Sequence, residues 1–139
     1  MILIIEDEPA LASALATVCR RLGYDAETCA SGHAGLERLP AAQLAILDIG
    51  LPDISGLDVL EKARAQAPNI PVIIITAHGN LENAVAARKL GAAAYLVKPL
   101  DLREVQQTIK QRKGFIMGHM FLRLRARNIR QDEKWRIRH

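Results

Sequence analysis

Met1-Ile2-Leu3-Ile4-Ile5-Glu6-Asp7 opens the chain as a short apolar run without polar alternation that ends in two carboxylates. A strand with one face in water alternates apolar and polar residues, so an unbroken run of this length reads as a strand covered on both faces. Ala45-Ile46-Leu47 and Val72-Ile73-Ile74-Ile75 read the same way, whereas Asp25-Ala26-Glu27-Thr28-Cys29 alternates and suits a sheet edge. Strands are therefore expected at 2–6, 25–29, 44–48, 72–76 and 93–97. Helical periodicity predicts helices over 9–22, 33–39, 57–66, 81–90 and 102–112, with breakers at Gly23, Pro40, Pro68, Pro71, Gly91 and Pro99. Strands alternating with helices point to an α/β fold, and right-handed crossovers then favour a doubly wound parallel sheet. The order 2-1-3-4-5, with helices on both faces, keeps the alternating strand at the edge.

The 139 residues suffice for one domain, and with half of them apolar a packed core is expected. The net charge of +4 divides unevenly: residues 1–112 carry 11 Lys/Arg against 13 Asp/Glu, and residues 113–139 carry 8 against 2. The domain is thus expected to cover 1–112, followed by a basic extension over 113–139 with a boundary near Lys113-Gly114. The domain itself carries no charge excess suited to holding nucleic acid. The opening apolar run is too short and too acidic in its flank for a signal peptide. No run approaches the roughly 20 apolar residues of a membrane span. Cys19 and Cys29 form no CxxC pair, so reduced thiols and a cytoplasmic location are expected, with no membrane contact.

Ligand sites of open parallel sheets lie outside the carboxyl ends of the strands. The first strand ends in Glu6-Asp7, the third in Asp48, the fourth in Thr76, and the fifth leads into Lys98. Each alone is more often a helix cap or turn residue. Together they would bring three carboxylates, a hydroxyl and a lysine to one edge. Converging carboxylates repel one another, and a bound cation is a usual remedy. Oxygen donors suit Mg²⁺, with Asp7 and Asp48 as direct ligands, Glu6 acting through water, and the Gly50 carbonyl as a further oxygen. Lys98 and the Thr76 hydroxyl would meet phosphate oxygens, leaving Asp48 as a nucleophile that forms an acyl phosphate.

This set resembles the response-regulator receiver family. The resemblance rests on Glu6-Asp7, on Asp48 within Leu47-Asp48-Ile49-Gly50-Leu51-Pro52-Asp53-Ile54-Ser55-Gly56, on Thr76-Ala77, and on Tyr95-Leu96-Val97-Lys98-Pro99. It implies a flavodoxin-like fold and Mg²⁺-dependent phosphotransfer to Asp48 from a sensor histidine kinase or phosphotransfer protein. It further implies a switch in which Thr76 turns toward the phosphoryl group and Tyr95 swings inward from a more exposed position. The Lys98-Pro99 peptide bond would be cis. The face built by residues 81–112 would meet partners, a second copy of the chain among them. Thr76-Ala77-His78-Gly79 is similar to receivers attached to sigma-54-dependent and LuxR-like transcription activators, so DNA would be reached only through an output domain not found in this sequence. A stand-alone phosphorelay receiver remains the alternative.

Two rivals weigh less. An aspartyl phosphatase commonly carries a second acid two residues after its nucleophile, and Gly50 stands there, so no enzymatic activity is expected beyond the chain's own phosphorylation and dephosphorylation. A phosphorylation-independent interaction module would have no use for mutually repelling acids. His78, two residues past Thr76, could overhang the phosphoryl group. The apolar stretch Gly114 to Leu122 and the basic stretch Arg123 to His139 admit three readings: a continuation of the last helix that dimerises, a basic segment for acidic partners, or a linker remnant or added sequence.

Overall fold

The structure, a computed structural model, describes residues 1–111 and 116–117. The elements run β1 (Ile2–Ile5), α1 (Pro9–Arg21), β2 (Ala26–Cys29), α2 (Gly32–Arg38), a 3₁₀ turn (Leu39–Ala41), β3 (Leu44–Asp48), α3 (Gly56–Gln66), β4 (Val72–Thr76), α4 (Leu81–Lys89), β5 (Ala94–Val97), α5 (Leu102–Gln111) and β6 (Ile116–Met117). The first five strands lie in the order 2-1-3-4-5 and every pairing is parallel, as expected for a doubly wound sheet.

The unalternating runs are explained by two cores, one on each face of the sheet. Leu3, Ile5, Ala45, Leu47, Val72, Ile74 and Tyr95 face one way and pack with Val59, Leu60 and Ala63 of α3 and Ala84 and Ala87 of α4. Ile2, Ile4, Leu44, Ile46, Ile73, Ile75 and Leu96 face the other way, against Leu15 and Cys19 of α1 and Val105 and Ile109 of α5. Burial of each large aliphatic side chain contributes roughly 1.5–3 kcal/mol. The central strands therefore act as a stiff platform whose ends hold their positions. Both cysteines are free, Cys19 buried and Cys29 half-buried.

Local chemistry sets the element ends. Pro9 occupies the first turn of α1, where a missing N–H costs nothing. Ser31 and Asn80 cap α2 and α4 by accepting from the backbone N–H groups of Ala34 and Asn83. Pro40 converts the expected end of α2 into the separate 3₁₀ turn.

A sixth strand joins the five expected ones. The segment after α5 does not continue as helix at Ile116 and Met117, which form a sixth strand parallel to β5 in register with Ala94 and Tyr95. The Ile116 N–H donates to the Ala93 carbonyl at 2.9 Å. The half-buried Ile116 packs on the Ile2/Leu15/Ile109 core. An open strand edge presents unpaired backbone groups, and a nearby apolar segment satisfies them. The remainder of the basic extension, with its dimerising and acidic-partner readings, lies outside the described residues.

Gly56 opens α3 where the chain returns beneath β3. A Cβ there would sit 2.4 Å from Ile49 Cα and 2.5 Å from the Asp48 carbonyl oxygen, both of them backbone atoms. Neither can move without disturbing β3. Gly56→Ala is expected to destabilise the fold by on the order of 2 kcal/mol or more, as overpacking against fixed atoms does, read from the urea unfolding midpoint.

Candidate functional site

The carboxyl ends of the central strands are in step, because Ile5 pairs with Leu47, Asp48 with Ile75, and Thr76 with Val97. Residues at or just past these ends consequently converge. Glu6, Asp48 and Thr76 are buried, and Asp7 is exposed at the rim. One ligand oxygen from each of Glu6, Asp7 and Asp48 falls within 4.8 Å of the others. Lys98 enters from the end of β5, its Nζ 3.0 Å from Glu6 Oε1 and 3.1 Å from Asp48 Oδ2. The backbone N–H of Gly50 donates to Asp48 Oδ1 at 3.0 Å. Lys98-Pro99 is cis, and the Lys98 N–H donates to the Thr76 carbonyl at 2.7 Å.

The electrostatics separate the two buried acids. Burial, and the hydrogen bond with Asp48, push Glu6 up to about 7 despite the nearby ammonium. Burial also acts to raise Asp48, but hydrogen bonding from Glu6, the Gly50 N–H and Lys98 together hold it below the usual carboxylate range. Burial works against the Lys98 charge, and the two carboxylates override it and raise its pKa. Below about pH 7 the pair therefore favours retaining one proton on Glu6, and Asp48 is the carboxylate favoured in its ionised form. Glu6 Oε2 is buried without a hydrogen-bond partner. An orphaned carboxylate oxygen within a cluster of three acids fits a hard divalent cation, which takes oxygen donors. A cleft of about 420 Å³ opens beside Glu6 and Asp7, between Ser13 of α1 and Thr28 of β2.

Thr76 and Tyr95 are joined through residue 78. The Thr76 hydroxyl accepts from the His78 N–H at 3.0 Å, and the Tyr95 hydroxyl donates to the His78 carbonyl at 2.9 Å. The expected exposed position of Tyr95 is corrected, since the ring is fully buried. Its polar tip is satisfied by a main-chain carbonyl, which removes the cost of keeping the ring inside. The His78 side chain is exposed, and the main chain of this residue makes the connection. The sequence offered one clue to it, a hydroxyl residue two positions earlier, the spacing of a local side-chain turn.

Asp53 was not singled out in the sequence. Its Oδ1 accepts from the Gly32 N–H at 2.9 Å and its Oδ2 from the His33 N–H at 3.0 Å. These backbone donors hold its carboxyl below the usual range.

Comparison with known proteins agrees with this geometry. The family model of the response regulator receiver domain matches residues 2–110. The probable transcriptional regulatory protein TcrX of Mycobacterium tuberculosis is 35% identical over 106 residues, 75% of this chain and 45% of that protein. The transcriptional regulatory protein ZraR of Salmonella typhimurium is 33% identical over 112 residues, 79% of this chain and 25% of that protein. The match thus spans less than half the length of these curated relatives. A CheY-like receiver domain from Methanospirillum hungatei superposes with a TM-score of 0.75 at 35% identity, covering 79% of this chain and 90% of that one. A response regulator from Burkholderia pseudomallei, solved with a phosphorylated aspartic acid, a calcium ion and citrate, has a TM-score of 0.73 at 25% identity, covering 79% and 66%. With nearly all of the described residues inside the matched region, the chain belongs to the response regulator receiver domain family of two-component systems.

Proposed function

We propose that the chain accepts a phosphoryl group on Asp48 from a histidine kinase or phosphotransfer protein, with Mg²⁺, and converts that charge into a change at the α4–β5–α5 face. The observation that carries this reading is the Asp48 carboxyl group held between Lys98 Nζ and the Gly50 N–H beside two further acids. Support by likeness comes from the Burkholderia pseudomallei regulator, which holds a phosphorylated aspartic acid and a calcium ion. Glu6, Asp7, Asp48 and the Gly50 carbonyl would hold the Mg²⁺, which when bound neutralises charge on the transferring phosphoryl group. The chain's own part is positional. The Gly50 N–H and Lys98 orient the Asp48 carboxylate, one oxygen of which bonds to phosphorus as the bond to the donor imidazole nitrogen breaks. Lys98 then exchanges its Asp48 contact for a phosphoryl oxygen.

The added group brings about −1.5 to −2 charges to this edge. The Thr76 hydroxyl, in turning to donate to it, gives up the His78 N–H and perturbs the residue whose carbonyl holds Tyr95. A shift from one-tenth to nine-tenths active requires roughly 2.6 kcal/mol, within reach of one or two charge-assisted hydrogen bonds. The face beyond carries exposed Leu81, Val85 and Leu102, suited to a partner or a second copy. Transcriptional output would follow through a further domain, as the greater length of the regulatory relatives suggests. A cytoplasmic site fits this role, and among the described residues no helix is long and apolar enough to cross a membrane.

Incubation with acetyl phosphate and Mg²⁺ is expected to label the wild type and to leave Asp48→Asn unlabelled; persistent label in that variant would move the acceptor elsewhere. With a phosphoryl mimic, amide shifts over residues 81–97 are expected in the wild type and largely lost in Thr76→Ala. Equal responses would remove Thr76 from the relay.

Stability of the metal-free chain should follow Glu6. Its folded pKa of about 7 lies above the ordinary 4.5. The neutral form is therefore favoured on folding, and that stabilisation is full below about pH 4.5 and is lost as pH rises through 7. Asp48, shifted downward, acts oppositely and only at more acid pH. The urea midpoint without Mg²⁺ should fall between pH 5 and pH 8, and Glu6→Gln should flatten this slope. Mg²⁺ should restore stability most at the alkaline end, where the ligands are ionised.

A further inference from the structure

Resting on the phosphorylation reading, we infer that Asp53 is a positioning residue for the Asp48 site, clamping the β3–α3 loop that carries Gly50 onto the first turn of α2. The loop's lower ends are tied by backbone bonds, Ile49 N–H to the Ile75 carbonyl at 3.1 Å and Gly56 N–H to the Ile49 carbonyl at 2.9 Å. Its apex has no such backbone tie among the described hydrogen bonds. The Asp53 carboxylate supplies the tie instead, reaching 21 residues back to Gly32 and 20 back to His33.

The first turn of α2 is built to receive this group. A helix start leaves four N–H groups without intrahelical partners. Ser31 satisfies one of them, its hydroxyl accepting from Ala34, while its carbonyl accepts the first helical bond from Gly35. The N–H groups of Gly32 and His33 are left for Asp53, and the positive end of the helix favours its charge. The apolar neighbours fit around the same contact. A Cβ on Gly32 would meet Ile54 Cγ2 at 2.3 Å and Val59 Cγ2 at 2.8 Å, so the loop side chain occupies the space that glycine leaves. The depressed pKa of Asp53 keeps it an acceptor for both donors through neutral pH.

The consequence falls on Gly50. Its N–H orients Asp48, and its carbonyl is the oxygen expected to complete the cation's protein ligands. Both belong to the stretch whose apex Asp53 holds. A released apex leaves Asp48 in place on β3 but lets the Gly50 carbonyl wander, so cation binding weakens while the chemistry at full cation occupancy persists.

The test compares wild type, Asp53→Ala and Asp53→Asn, each shown by urea unfolding to be folded. Asp48 labelling by acetyl phosphate is measured against Mg²⁺ concentration, and Mg²⁺ alone is titrated while the Gly50 amide resonance is followed. Asp53→Ala is expected to raise the half-saturating Mg²⁺ concentration roughly ten-fold in both, with the plateau rate within about two-fold of wild type, as for loss of a group that orients a metal ligand. Asp53→Asn, which keeps one acceptor oxygen, should fall between, and it carries the comparison if Asp53→Ala does not fold. An unchanged half-saturation, with only the urea midpoint lowered, would reduce Asp53 to a helix cap and overturn the clamp. A wild type that takes no label would overturn the phosphorylation reading and the clamp with it, a result distinct from the first.

Discussion

A single ammonium group holds the site together. Lys98 Nζ lies between Glu6 Oε1 and Asp48 Oδ2, joining residues 92 and 50 positions apart. Two carboxylates buried side by side would otherwise drive each other's protonation, and a protonated Asp48 would be no nucleophile. Lys98 lies about equally close to both, so the bias toward a charged Asp48 comes from burial of Glu6 and from the further hydrogen bonds that Asp48 accepts from Glu6 and the Gly50 N–H. Removing one partner from such a buried set leaves the rest uncompensated, which is how one lysine comes to tie together the ends of β1, β3 and β5.

That arrangement demands a platform that does not yield. β1, β3 and β4 are buried along their whole lengths, and each face of the sheet has its own core. Close-packed interiors transmit displacement instead of absorbing it. The mobile chemistry is accordingly left to the segments beyond the strand ends: the loop from Ile49 to Ser55, the Thr76-to-Asn80 turn, and the exit from β5. The first two are held by individual hydrogen bonds from side chains and backbone groups, among them Asp53 to the Gly32 and His33 N–H groups and Thr76 to the His78 N–H.

The switching side of the molecule starts from a buried Tyr95. Its ring already lies in the core with its hydroxyl on the His78 carbonyl, and the Thr76 hydroxyl is engaged by the N–H of the same residue. His78 is thus a two-sided backbone link, and movement at Thr76 reaches Tyr95 through the backbone of one residue as well as through the side-chain hydrogen bond between the two hydroxyls. On the far side, β6 lies alongside β5 in register with Ala94 and Tyr95, so the strand bearing this residue is flanked by β4 and by the chain's own extension. Exposed Leu81 and Val85 lie one helical turn apart on neighbouring α4, which gives that surface its apolar character.

Hydrophobic periodicity is a local property, and the strands Ile2–Ile5, Leu44–Asp48 and Val72–Thr76 announced their double burial residue by residue. The convergence of Glu6, Asp7, Asp48, Thr76 and Lys98 followed from the same reading, because parallel strands deliver their carboxyl ends to one edge. What tertiary structure alone decided was carried by main-chain groups and by side chains whose local reading was bland. Asp53, between Pro52 and Ile54, reads as an ordinary turn acid, and its partners are the N–H groups of Gly32 and His33 on another helix. His78 reads as a loop histidine, whereas its role lies in its N–H and carbonyl. The inward Tyr95 and the pairing of Ile116 with the β5 edge depend likewise on a carbonyl within reach. Every residue has a backbone carbonyl and all but proline an N–H, so the sequence of side chains carries no mark of which of them will be met; only the folded chain, by bringing distant segments within hydrogen-bond distance, selects them.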